Sequence, residues 1–262
     1  MSEELYAPIP DLDAYLARIG IAEAKEPTLD FLDEVIMAHQ CSVPFDDLDT
    51  CALDIVPSLG IPDLFDKIVV RKRGGYCFEL NALFGALLKA LGFQVRPYMA
   101  RVLLRPIPHP LISHRANFVR IDGKDYIADV GFGGPQPTFG VLVEDGVVCT
   151  KNGQTFTTHK RSDDWWELGY THSNGEEQIV QAICMAEVGE EDFVPLSYYQ
   201  AVNPASVFRN TRMVNIKTKD GAINLRDSTL TTFTGSERTD VEIPEEEIDQ
   251  LLESTFGIVN WR

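Results

Sequence analysis

The sequence predicts an α+β protein: a helical N-terminal lobe over residues 1–92, an antiparallel β-barrel or meander over 93–185, and a mixed α/β part over 186–262. Three observations carry this. Apolar residues recur at helical spacing up to Gly92. Five Asx-Gly pairs then punctuate β-rich runs with no helical pattern between them, and one last helical pattern follows Pro244. Because helices do not alternate with the strands, a doubly wound parallel sheet is disfavoured.

In chain order, Pro10 to Ile21 reads as an amphipathic helix with Leu12, Tyr15, Leu16 and Ile19 on one face. Thr28 is placed to cap a second helix carrying Leu32, Val35, Ile36 and His39. A turn-rich link, Val43-Pro44-Phe45-Asp46-Asp47-Leu48, precedes a third helical piece near Asp63 to Lys67. Strands are expected at Val95–Arg105, Ala116–Ile121, Lys124–Phe132 and Val141–Cys149. Asp122-Gly123, Asp145-Gly146, Asn152-Gly153, Asn174-Gly175 and Asp220-Gly221 carry two-residue hairpin chemistry. Pro195 to Tyr199 suits one helical turn, Asn203 to Asn210 a loop, and Arg212–Ile216 and Ala222–Phe233 strands. Pro244 opens and Gly257 closes the final helix.

The chain is organised around Arg73-Gly74-Gly75-Tyr76-Cys77-Phe78-Glu79-Leu80-Asn81. After the glycine turn, Leu80, Leu83, Phe84, Leu87, Leu88 and Leu91 form one buried helical stripe. Cys77 lies on that stripe at the helix start. There, unpaired N–H groups and the helix dipole favour a thiolate. A small buried hydrophobe is the alternative reading of this stretch by itself. A base for the thiol comes from the Asp122-Gly123 hairpin. Pairing Ile121 with Lys124 sets Ala116 opposite Asp129 and His114 opposite Gly131, so His114 and Asp129 share a face as diagonal neighbours. A carboxylate beside an imidazole orients the ring and stabilises its protonated form. Cysteine, histidine and aspartate together are the groups for covalent catalysis by an activated thiol.

Composition narrows the field. The 262 residues are 44% hydrophobic and 24% charged, ordinary for a globular protein with a large core. The formal charge of −17 argues against nucleic acid as a partner. The N-terminus lacks a basic, apolar signal pattern and no apolar run is long enough for a bilayer, so membrane association is not expected. Five irregularly spaced cysteines, with no CxxC, suit neither a zinc site nor a disulfide framework and suggest the cytoplasm. Between Lys67 and Arg120, ten basic residues stand against Glu79 alone, a local charge of +9. Such a belt would focus an anionic small molecule near Cys77, unless its members pair with acids elsewhere.

Arg73-Gly74-Gly75-Tyr76-Cys77-Phe78-Glu79, the Ser113-His114 strand and Asp129-Val130-Gly131-Phe132-Gly133 resemble the arylamine N-acetyltransferases. Val43 to Leu48 is similar to that family's Pro-Phe-Glu-Asn-Leu element, and Pro204 to Asn210 to its later Ser-x-Phe segment. The resemblance spans nearly the whole chain. It implies a helical lobe, a β-barrel and an α/β lid around a cysteine-protease-like Cys-His-Asp core. On that resemblance Cys77 is the acetylated nucleophile, His114 the proton carrier and Asp129 its orienter. Acetyl-CoA is the implied cosubstrate, with no metal. The implied acceptor is an arylamine or hydrazine nitrogen, or the oxygen of an N-hydroxyarylamine. Phe45, Phe132 and Phe208 fall at acceptor-pocket positions, and Gly131, Gly133 and Gly134 at the turn near the coenzyme phosphates. Arg73 and Asp46 fall at a structural pair, although Asp46 is shorter than the family's Glu. Asp47 replaces Asn, Leu80 stands where Gln or His is common, and Arg115 stands where the family is often apolar. The positive stretch would then draw in coenzyme A. An amide synthase of the same fold, a thiol hydrolase or transglutaminase-like enzyme, and a silent binding protein share parts of this logic.

Overall fold

The computed structural model describes residues 2–235 and 237–262. The N-terminal third is helical. α1 (Ser2–Leu5), α2 (Leu12–Ile19) and α3 (Leu29–Ser42) come first. Asp11 and Thr28 cap α2 and α3 through side-chain oxygens, as expected of Asp and Thr at helix starts. The turn-rich link contains a two-residue strand, β1 (Phe45–Asp46), followed by α4 (Leu48–Cys51), α5 (Ile61–Phe65) and a π-helical turn over Asp66–Val70. α6 (Cys77–Ala90) is the central helix. It is buried on nearly every side, including Cys77, Leu80, Leu83 and Leu87. Gly92, with φ 88°, takes the left-handed conformation past its end.

Eight strands follow: β2 (Gln94–Val102), β3 (Ile112–Ile121), β4 (Lys124–Ala128), β5 (Val141–Leu142), β6 (Val148–Lys151), β7 (Gln154–Lys160), β8 (Trp165–Thr171) and β9 (Glu177–Cys184). Their order is β5-β4-β3-β2-β9-β8-β7-β6, antiparallel throughout. The sheet curls into a nearly closed barrel around Tyr98, Phe118, Phe139, Phe156 and Leu168. Its seam is stitched by Thr158 rather than by a ladder. The Thr158 hydroxyl receives the Glu144 N–H at 3.1 Å, and its carbonyl receives the Gly146 N–H at 2.9 Å.

The remainder packs as a second sheet and its helices. A 3₁₀ turn (Glu190–Asp192) leads into α7 (Phe193–Val202) and α8 (Val207–Asn210). Then come β10 (Met213–Thr218), β11 (Gly221–Arg226), β12 (Thr229–Thr234), β13 (Glu237–Glu242), a 3₁₀ turn (Glu245–Glu247) and α9 (Ile248–Phe256). β10 to β13 form an antiparallel sheet whose first strand is β1: Phe45 pairs with Asn215 and Asp46 with Val214. One face of this sheet, through Val214 and Leu225, packs on Leu252 and Phe256 of α9.

The hairpin pairing centred on Asp122-Gly123 is observed from Ile121↔Lys124 to Asn117↔Ala128, and both turn residues have positive φ. Asn152-Gly153 likewise closes Lys151↔Gln154. Other expectations need correcting. The strand expected to reach Phe132 stops at Ala128, because the Asp129 carboxylate turns back to accept the Gly131 N–H at 3.0 Å, so the expected pairs Ala116–Asp129 and His114–Gly131 do not form. Val141–Cys149 is two strands that do not pair with each other; the chain leaves β4 there and passes to β7. Asn174-Gly175 lies within a longer loop, closed by the His172 N–H to the Glu176 carbonyl at 2.8 Å. At Asp220-Gly221 the turn is one residue earlier, since Gly221 already pairs with Thr218. Ala222–Phe233 is broken into two strands at Asp227, whose φ is 52°. The helix expected at Pro195–Tyr199 is α7, longer at both ends, and the expected loop over Asn203–Asn210 ends as α8.

Candidate active site

Cys77 is the first residue of α6 and 3% exposed. The helix start is fixed by Glu79, whose Oε2 accepts the Tyr76 N–H at 3.1 Å. His114 comes from β3 at an irregularity. Ala100 pairs with His114 and Arg101 with Ile112, leaving Ser113 without an opposite number. Such a bulge bends the strand and re-aims its side chains. Here it also frees the Ser113 carbonyl, which receives the Cys77 S–H at 3.8 Å. His114 Nε2 is 2.7 Å from Asp129 Oδ2, and both residues are buried. Cys77 lies near enough to the imidazole to help raise its pKa. With Nε2 committed to Asp129, Nδ1 is the nitrogen left to serve Cys77. The three residues singled out from the sequence therefore converge.

The electrostatics favour a charged ring. Burial alone would push the His114 pKa down, but the Asp129 charge and hydrogen bond outweigh it, with Cys77 adding to them, and the pKa rises to about 10. Burial likewise works against an ionised Asp129. The His114 ring, the Gly131 N–H and the Asn81 amide reverse that and hold it below its ordinary value.

Two further supports were not legible in the sequence. Asn81, one helical turn beyond Cys77, donates to Asp129 Oδ1 at 2.9 Å and accepts the Val130 N–H at 3.0 Å. Gln181 of β9 donates to Asp129 Oδ2 at 3.0 Å. The only early signal for Asn81 was a polar residue between apolar helix positions; Gln181 had none.

Gly131 has a steric reason to be glycine. A Cβ there would lie 2.8 Å from the Cys77 Cα and 2.9 Å from the Asn81 amide nitrogen. Gly133, with φ 69°, faces Asn215 and Phe45, and Gly134 faces Leu104 and Phe132. The aromatic candidates lie around this turn. The Phe132 ring is edge-on to His114 at 5.2 Å, and Phe45 and Phe208 are 6.4 Å apart, with Tyr76 5.6 Å from Phe208.

Arg73 does not hydrogen-bond Asp46. Their nearest charged atoms are 3.7 Å apart, whereas Asp49 Oδ1 sits 2.8 Å from Arg73 Nη2. The shorter Asp46 side chain is occupied by the Gly74 and Leu48 N–H groups. Nor is the positive belt free. Of its ten cations, Lys67, Arg71, Arg73, Lys89, Arg96, Arg115 and Arg120 each have a carboxylate within 4.0 Å. Arg115 is 1% exposed, paired with Glu190 at 2.5 Å and stacked over Phe193. Among the described residues, only Lys72, Arg101 and Arg105 of that stretch lack such a partner.

A family model described as N-acetyltransferase matches residues 28–260. The arylamine N-acetyltransferase of Mycobacterium tuberculosis is 32% identical over 95% of this chain and 89% of its own length. A solved structure of arylamine N-acetyltransferase from M. tuberculosis superposes with a TM-score of 0.90 at 31% identity, covering 95% of this chain and 94% of that one. A Salmonella typhimurium protein named arylamine N-acetyltransferase / N-hydroxyarylamine O-acetyltransferase is 30% identical over 94% of this chain and 88% of its own length. The Mycobacterium marinum arylamine N-acetyltransferase, solved in complex with CoA, matches with a TM-score of 0.88 at 30% identity, covering 95% and 93% of the two chains. The matching family model and the shared fold define the N-acetyltransferase class. The chain belongs to the arylamine N-acetyltransferase family.

Proposed function

We propose that the protein transfers the acetyl group of acetyl-CoA to the nitrogen of an arylamine or arylhydrazine, and to the oxygen of an N-hydroxyarylamine, in two half-reactions through Cys77. The observation that carries this is the Cys77 thiol at a helix N-terminus, held against the Ser113 carbonyl beside an imidazole that is itself 2.7 Å from a buried carboxylate. In the first half-reaction His114 already holds the proton that would otherwise sit on Cys77, and the sulfur attacks the acetyl carbonyl. The C–S bond to coenzyme A breaks, and the departing thiolate takes the proton from the imidazolium. In the second, the acceptor nitrogen attacks the thioester and gives its proton to His114, and the Cys77 sulfur leaves. Asp129 keeps the ring oriented in both and stabilises its protonated form whenever that form appears.

The CoA complex of the M. marinum relative and the printed name of the S. typhimurium relative support the choice of donor and acceptors. Phe45, Phe132 and Phe208 would bracket a flat aromatic acceptor. Gly133 and Gly134 would let the coenzyme approach the backbone, while Gly131 is taken up by the close approach to Cys77. Incubation with acetyl-CoA alone should leave an acetyl thioester on Cys77, detected by mass spectrometry of the peptide. Adding an arylamine should discharge it. A Cys77→Ser protein that still acetylates arylamines at the native rate would overturn the reading.

A further inference from the structure

The turn that delivers Cys77 rests on a run of buried and half-buried charges that take no part in the chemistry. Arg73 is 4% exposed. Its Nη1 donates to the Trp261 carbonyl at 3.0 Å and its Nη2 to Asp49 Oδ1 at 2.8 Å. The other Asp49 oxygen receives Lys67 Nζ at 2.6 Å, and the same ammonium donates to Glu79 Oε1 at 2.6 Å. Glu79 Oε2 then receives the Tyr76 N–H at 3.1 Å, one residue before the nucleophile. The run thus begins on the segment beyond α9 and ends at the start of α6. Asp46, at the position where the family sequence pattern puts the arginine's partner, is occupied elsewhere, so orientation of the guanidinium falls to a carboxylate three residues further on.

The turn needs such support. Gly74 and Gly75 have no room for a side chain: a Cβ would meet the Pro44 carbonyl oxygen at 2.1 Å and Glu79 Oε2 at 2.8 Å, respectively. Yet two adjacent glycines confer little stiffness of their own. The planar, forked guanidinium can hold Asp49 and the Trp261 carbonyl at once, which a lysine ammonium could not do in the same geometry.

We propose that Asp49 and the backbone carbonyl of Trp261 are positioning groups for the nucleophile, acting through Arg73 and Lys67 to fix the turn over residues 73–79 and so coupling the end of the second sheet's helix to the Cys77 thiol. This rests on the reading of Cys77 as the nucleophile. The test uses Asp49→Ala, Asp49→Asn and a chain stopped after Asn260. Each is scored by the rate of iodoacetamide alkylation of Cys77 across pH, read by peptide mass spectrometry, beside a thermal melt. Alkylation needs no acyl donor, so it stays readable even if acetyl-CoA is not the donor, which the thioester experiment decides separately. The Asp49→Ala and stopped chains should alkylate on the order of 10-fold or more slowly at the plateau, with a displaced pH profile and a melt that is still cooperative. Asp49→Asn, which keeps an oxygen facing Nη2, should fall between them and the native protein. If Asp49→Ala does not fold, Asp49→Asn and the stopped chain carry the test. Profiles superimposable on the native one, whatever happens to the melting temperature, would mean these groups serve stability alone and would overturn the proposal.

Discussion

Asp129 accepts from Asn81 and Gly131 on one oxygen and from His114 and Gln181 on the other. Every one of these partners is a donor, so only an ionised carboxylate satisfies the site. Asp129→Asn would turn an NH₂ group toward donors. Its acetyl-transfer rate should fall on the order of a thousandfold. The His114 ring signal, followed by NMR, should titrate near pH 10 in the native protein and much lower in the variant. The sign for stability follows from the same shift. The folded pKa of about 10 lies above the ordinary 6.5, so the protonated ring contributes fully below pH 6.5 and that contribution is lost as pH rises through about 10. At this scale the sequence was informative where residues are local: Cys77 by its place in a helical stripe, and the Asp122-Gly123 hairpin as far as Asn117↔Ala128, whereas the pairs counted for His114 and Asp129 lie beyond the end of that ladder. Gln181 is 52 residues from its partner, and no periodicity or turn chemistry could connect them. The resemblance pointed to Asp46 as the partner of Arg73, whereas Asp49 holds that place because the Gly74 and Leu48 N–H groups occupy Asp46.

Between elements, the decisive contact is the loop after β4 against the start of α6. Gly131→Ala should place a methyl group within 2.8 Å of the Cys77 Cα, a backbone atom of a buried helix that cannot move alone. We expect a stability loss of about 1–3 kcal/mol by denaturant melt and a larger proportional loss of acetyl-transfer activity, because the displaced atoms carry sulfur and the Asp129 loop. Element type was legible wherever local signals agreed. Asp122-Gly123 and Asn152-Gly153 both place two residues at positive φ and close tight hairpins. Asn174-Gly175 has the same letters but sits in a longer loop, since only its glycine adopts positive φ. The two-residue β1 was hidden for another reason: its partners come from β10 and a strand that short has no pattern of its own.

For the whole molecule, the local charge of +9 is largely internal to the fold. Seven of its ten cations are paired, and Lys67, Arg73 and Arg115 are buried structural charges rather than a field presented to solvent. The KM for acetyl-CoA should therefore respond weakly to salt, rising on the order of a few-fold between low and high ionic strength in steady-state assays. A steep rise would mean that Lys72, Arg101 and Arg105 suffice to steer the coenzyme. Counting charges along the chain could not separate these cases, because the neutralising acids lie partly outside the counted stretch, as Glu190 does for Arg115 and Asp125 does for Arg96 and Arg120.

The short strand at Phe45-Asp46 pairs with Asn215 and Val214 on one side and touches Gly75, in the nucleophile's own turn, on the other. A nascent chain emerging from the ribosome must therefore wait for residues beyond Met213 before the strand beside that turn gains its second neighbour. Contacts this distant form late and slowly. An N-terminal fragment holding every residue of the Cys-His-Asp set would still lack the backbone partner that frames it. Truncated translation products should accordingly be inert and should leave the edge of β1 open to mispairing.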